Sequence, residues 1–85
     1  MAERRVTVKA AVGLHARPAA VFVKAVNELK TPVTLRKPEG NPVNAGSILA
    51  VLTLNVQAND DVILESENEA ALDKLVDVIE NGLGE

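Results

Sequence analysis

Two rhythms of apolar residues run through this chain, one of period two and one of three to four, and they divide it into segments. Val6, Val8 and Ala10 alternate with Thr7 and Lys9, which predicts a half-buried strand. Gly13 breaks that pattern. Ala19, Phe22, Val23, Val26 and Leu29 then recur at helical spacing, so residues from about 16 to 29 read as an amphipathic helix. Pro18 suits its first turn, where a missing N–H costs nothing, and Thr31-Pro32 ends it.

Val33-Thr34-Leu35-Arg36-Lys37 alternates again and predicts a second strand. Pro38-Glu39-Gly40-Asn41 reads as a turn, and Pro42-Val43-Asn44 as a short strand that its proline confines to a sheet edge. Ile48 to Leu52 is apolar throughout; with Ser47 as N-cap it predicts a short helix, and a buried strand is the alternative that periodicity leaves open. Asn59-Asp60-Asp61 turns into a last strand, Val62-Ile63-Leu64-Glu65. Ser66-Glu67-Asn68-Glu69 has the form of a capping box, with Ser66 as cap and Glu69 reaching back. Leu72, Leu75, Val76, Ile79 and Leu83 form one stripe of a final helix, and Gly82 is placed to stop it. The order is β-α-β-β-α-β-α. Few strands with interleaved helices predict one sheet with its helices on one face, an α+β sandwich.

Composition narrows the function. Eighty-five residues make one small domain, and 47% apolar content is that of a folded chain. With no cysteine, no disulfide scaffold, thiolate zinc site or cysteine nucleophile is possible, and a single histidine makes a transition-metal site unexpected. The absence of Trp and Tyr removes a stacking surface for single-stranded nucleic acid. The longest apolar run is five residues, against the roughly 20 that span a bilayer. No apolar stretch follows the charged N-terminus, so no signal peptide is expected and the chain reads as cytoplasmic.

The net charge of −3 is unevenly spread. Residues 1–44 carry eight basic and three acidic side chains, and residues 45–85 carry one basic and nine acidic. A solvated acidic helix at the end of the chain explains this. So does an anion site or an acidic partner on the basic half.

Gly13-Leu14-His15-Ala16-Arg17-Pro18-Ala19 carries the candidate chemistry. The only histidine stands at the joint between a strand and a helix start, where unpaired N–H groups and a partial positive charge favour an anion. Arg17 adds a planar fork of donors suited to phosphate. Reversible phosphorylation of an imidazole uses these parts. At a pKa of about 6.5 roughly three-quarters of the rings are already neutral at pH 7, so the terminus helps chiefly by holding the bound phosphoryl group. A histidine in this place also serves as a cap, a surface residue or a plain anion binder, and the residues alone leave these open.

GLHARPA at 13–19 and NAGSILAV at 44–51 together resemble the HPr family, the histidine-containing phosphocarriers of the bacterial phosphoenolpyruvate-dependent sugar phosphotransferase system. The resemblance covers essentially the whole chain. It implies an open-faced β-sandwich, a four-stranded antiparallel sheet with three helices on one face. It also implies that His15 accepts a phosphoryl group on Nδ1 from enzyme I and passes it to the IIA component of a sugar permease. Arg17 would assist at the phosphohistidine, Pro18 would shape the helix start, and Ala16 would help orient the phosphate. Ala16, Arg17, Ala20 and Lys24, with Ile48, Leu49 and Leu52, match the face that meets these partners. The alternative is that the three apolar residues of the second helix are all core.

In many Gram-positive relatives the serine matching Ser47 is phosphorylated by a dedicated kinase in carbon catabolite repression, which would add a serine kinase and a transcriptional regulator as partners. Gly46 stands where many relatives carry a lysine, and Leu49 where Met or Phe is frequent. The expected protein is a monomeric carrier without cofactor or metal, used stoichiometrically rather than turning over as an enzyme. Its rivals are a nitrogen-related phosphotransferase paralogue and a regulatory serine-phosphorylated binding module of the same fold. A small hydrolase using His15 with Ser47 lacks an acidic residue near His15 to orient the ring.

Overall fold

The computed structural model describes residues 2–9, 13–14 and 16–81, with Ala16 described by its backbone alone. Its elements follow in the order β1 (Ala2–Thr7), α1 (Ala16–Leu29), β2 (Thr34–Arg36), β3 (Val43–Asn44), α2 (Ile48–Thr53), β4 (Asp61–Ser66) and α3 (Glu69–Asn81). The strands form one four-stranded sheet in the order β1-β4-β2-β3, with every pair antiparallel.

Register decides which side chains enter the core. Val6 lies opposite Val62, and Leu35 opposite Leu64 and Val43. Val6, Val62, Leu64 and Leu35 are buried in one cluster with Phe22, Val26, Val51, Leu72, Leu75 and Ile79 from the helices. All three helices therefore cover the same face of the sheet. The other face carries Glu3, Arg5, Thr7, Asp61, Glu65, Thr34 and Arg36 by the same alternation. Arg5 pairs with Asp61 at 2.8 Å, and Arg36 lies 3.6 Å from Glu65 and 3.9 Å from Glu3. Ile63 is the one apolar residue of β4 on this side. It lies opposite Arg5 and Arg36, is only 6% exposed, and stands outside the main core cluster. Long aliphatic stems beneath charged heads are suited to cover such a side chain.

Several boundaries depart from the expected ones. β1 starts at Ala2, ahead of the apolar alternation, because its ladder to β4 begins at the Ala2–Ser66 pair. Val8 remains fully buried past the strand's end, and Ala10 lies outside the described residues. β2 is shorter than Val33–Lys37; Val33 is buried and its carbonyl oxygen accepts from the Ala45 N–H. The capping box is not formed as read. Ser66 is the last residue of β4, and the cap is Asn68, whose Oδ1 accepts from the Ala71 N–H at 3.1 Å. Ser66 Oγ accepts instead from the Asn68 N–H, and Glu69 accepts from Arg4 at 3.3 Å. One register of the Ser-x-x-Glu pattern is claimed by strand pairing, so the cap moves to the next residue that can serve. Gly82 and Leu83 lie outside the described residues.

The readings of the first two helices hold. β3 is the two-residue edge strand expected of Pro42-Val43-Asn44. Pro18 lies in the first turn of α1, and α1 ends as Lys30 turns to a φ of 54°. α2 carries Ser47 as its N-cap, with the Oγ accepting from the Ala50 N–H at 3.4 Å.

Candidate functional site

The loop into α1 is fixed from below. Gly13 has a φ of 69°, in the left-handed region that favours glycine, and a Cβ there would come 2.7 Å from Gln57 Cα. That close approach lets the Leu14 N–H donate to the Val56 carbonyl oxygen at 3.0 Å, with Leu14 fully buried. Ala16 then opens α1. His15, between them in sequence, lies outside the described residues, as does the side chain of Ala16.

Arg17 and Lys24 are exposed on α1, and neither pairs with a carboxylate among the described residues. Pro18 is buried and Ala20 exposed. Pro18 has no N–H, so it adds no unpaired donor to the first turn of α1.

α2 divides as its composition requires. Val51 is fully buried and Leu52 half-buried against the core, whereas Ile48 is 37% and Leu49 74% exposed. The reading in which all three of Ile48, Leu49 and Leu52 are core is therefore excluded. A shallow groove of about 600 Å³ runs between α1 and α2, lined among others by Ala20, Lys24, Asn27 and Ile48. It brings Ile48 of α2 beside Ala20, Val23, the basic Lys24 and the acidic Glu28 of α1. Leu49, the next residue of α2, and Arg17 are not among its lining residues.

Ser47 is half-buried, and its hydroxyl is the acceptor of the α2 cap. The loop before it is held by Asn44, whose Oδ1 accepts from the Gly46 N–H at 2.8 Å and whose backbone oxygen accepts from the Ser47 N–H at 3.1 Å. Asn27, on α1, donates from Nδ2 to the Gly46 carbonyl oxygen at 3.3 Å. Sequence reading passed over Asn27, because an exposed polar residue on an amphipathic helix carries no mark of a tertiary partner.

A second concavity, of about 480 Å³, opens on the other side of the sheet between Arg5, Lys37, Pro38 and Asp61. Arg5 pairs there with Asp61, and Lys37 with Asp60 at 3.7 Å, and Glu39 also lines it. Asp61 is held below the usual carboxylate range, first by the Thr7 hydroxyl, which donates to Oδ1 at 2.6 Å, and next by Arg5. Among the described residues no group of three or more His, Cys, Asp or Glu could hold a metal, and no helix is long and apolar enough to cross a membrane.

Comparison with known proteins supplies what the geometry leaves general. Residues 2–81 match the family model described as "PTS HPr component phosphorylation site". The phosphocarrier protein HPr of Streptomyces coelicolor is 50% identical over 88 residues, covering 100% of this chain and 95% of that protein. The phosphocarrier protein NPr of Proteus mirabilis is 34% identical, covering 96% and 94%. The crystal structure of HPr-C-His from Thermoanaerobacter tengcongensis superposes with a TM-score of 0.91 at 38% identity, covering 100% of this chain and 98% of that one.

Proposed function

From the premise that this chain belongs to the HPr family of phosphotransferase-system phosphocarriers, we propose that it carries a phosphoryl group on His15 between enzyme I and the IIA component of a sugar permease. The observation that carries the proposal is the place of position 15 in the chain, between a buried, hydrogen-bonded residue and the start of a helix. Leu14 is buried and hydrogen-bonded to Val56, and Ala16 is the first residue of an amphipathic helix. The helix start that follows position 15 in the chain favours negative charge.

In this reading the Nδ1 lone pair of neutral His15 attacks the phosphorus of phosphorylated enzyme I. The new N–P bond forms as the donor's bond to phosphorus breaks, and the donor leaves with that electron pair. The Nε2 proton stays on the ring. Arg17, unpaired among the described residues, is available to the phosphoryl oxygens. Weak stabilisation suits a carrier, since a charge at a helix N-terminus gains only about 0.3–1 kcal/mol and the group must be released downstream. The carrier is consumed and regenerated stoichiometrically and works in the cytoplasm.

Docking falls to the exposed face that α1 and α2 share around the groove. The exposed Ile48 and Leu49 give an apolar contact, and Arg17 and Lys24 supply positive charge for acidic partners. Such surfaces favour fast, salt-sensitive, transient association. Ser47 is also a candidate phosphorylation site for a serine kinase. The likeness to NPr of Proteus mirabilis keeps a nitrogen-related branch as a second reading.

The test is transfer of labelled phosphate from phosphoenolpyruvate through enzyme I to the chain and on to a IIA protein, beside His15→Ala. Acid-labile, base-stable label on the unaltered chain alone supports the proposal. Equal labelling of both chains, or of neither, overturns it. Comparing sugar-branch and nitrogen-branch enzyme I as donors separates the two readings.

A further inference from the structure

α2 has only six residues, too few to hold itself by backbone hydrogen bonds, so its attitude depends on what grips its ends. Its buried face, centred on Val51, fixes how close it lies to the core. Apolar packing of that kind is non-directional and leaves the entry angle of the helix weakly defined. The loop 44–47 is bonded to itself through Asn44, the last residue of β3. Among the described residues the one polar link from that loop to α1 is Asn27 Nδ2 to the Gly46 carbonyl oxygen, at 3.3 Å. Ile48 follows two residues later and lines the same groove as Asn27.

In this chain the space beside position 46 is taken by the Asn27 carboxamide, which would have to move to admit a side chain there. A Cβ on Gly46 would stand 2.8 Å from Asn27 Oδ1 and 3.3 Å from Asn44 Oδ1. The first distance is shorter than a Cβ contact allows, so any side chain there must push the Asn27 carboxamide aside. Glycine at 46 and asparagine at 27 therefore form one device.

We infer that Asn27 is a positioning residue for docking: clasped to Gly46, it sets the angle at which α2 presents Ile48 beside Lys24 and exposes Leu49. Holding a docking patch in its bound arrangement raises affinity by reducing what must be ordered on association. The inference rests on the phosphocarrier reading for the identity of the partner, enzyme I, but the clasp itself is a property of this chain.

Asn27→Ala, Gly46→Ala and the double variant test it, with steady-state phosphorylation of each by enzyme I. Each single change is expected to raise KM about two- to tenfold, the worth of one lost net hydrogen bond, and to leave kcat within about twofold. The double variant should be no worse than the poorer single one, because both changes break the same link. Penalties that multiply, a fall in kcat with KM unchanged, or a lowered melting temperature with native KM would each overturn the inference. Backbone amide NMR gives a readout independent of transfer. The Ile48 and Leu49 resonances should move in the same direction in both single variants, and unrelated or absent shifts would contradict the clasp. If the unaltered chain takes no phosphate from enzyme I, the carrier reading fails, and the NMR comparison decides the clasp by itself.

Discussion

The Leu14 N–H and the Val56 carbonyl oxygen, 3.0 Å apart, join the segment entering α1 to the segment leaving α2. Both residues are fully buried, so the bond is shielded from water. It requires Gly13 to pass against the backbone of Gln57 with a left-handed φ of 69°. Gly13→Ala combines a disfavoured backbone conformation with a steric clash against main chain. It should lower stability by about 1–3 kcal/mol or more, read from chemical denaturation. A variant as stable as the parent would show that the loop relaxes freely and is not a rigid support.

Leu49 is 74% exposed although it belongs to an almost wholly apolar helix. Leu49→Glu should change stability by no more than about 0.5 kcal/mol, as for a surface site. Transfer from enzyme I should weaken, because an acid replaces an apolar contact on a face expected to meet acidic partners. Loss of the folded state in this variant would contradict the exposure of Leu49. Unimpaired transfer would remove Leu49 from the docking face.

Thr7 and Asp61 face each other across β1 and β4, and the Thr7 hydroxyl with Arg5 keeps the Asp61 carboxyl below its ordinary range. A depressed carboxylate stabilises the fold fully above its unfolded pKa and loses that contribution as pH falls through the lower folded value. The melting temperature of the parent should therefore exceed that of Asp61→Asn at neutral pH, and the gap should close below about pH 4. A gap that stays constant from neutral to acid pH would show that the ionised form of Asp61 contributes nothing.

Where the sequence had one dominant physical signal, the fold was legible from it. The 3–4 spacing from Ala19 to Leu29 needs a single buried face, and α1 spans Ala16–Leu29 as expected. Ser47 before an apolar run gave the α2 cap, because a hydroxyl there has one obvious use. Reading failed where two local signals compete for the same residues. Ser66 can cap a helix or finish a strand, and the ladder to Ala2 decided in favour of the strand, passing the cap to Asn68. The extension of β1 over Ala2–Arg5 was invisible for a related reason. Those residues become a strand by pairing with β4, and their charged side chains carry no apolar alternation. At the site, sequence reading placed the exposed Arg17, Lys24 and Leu49 and the half-buried Leu52 on the right elements. It gave no hint of the Asn27–Gly46 link, which depends on how two helices meet and not on either segment.

All of this turns on the imidazole at position 15, the group proposed to carry phosphate. The most direct measurement is phosphorylation by enzyme I with excess phosphoenolpyruvate, followed by intact mass and by ¹⁵N NMR of the histidine ring. A gain of one phosphoryl group is expected, with Nδ1 of His15 as the nitrogen whose resonance reports the new bond. No mass gain under conditions where enzyme I itself is phosphorylated, or a phosphoryl group on any other residue, would contradict it.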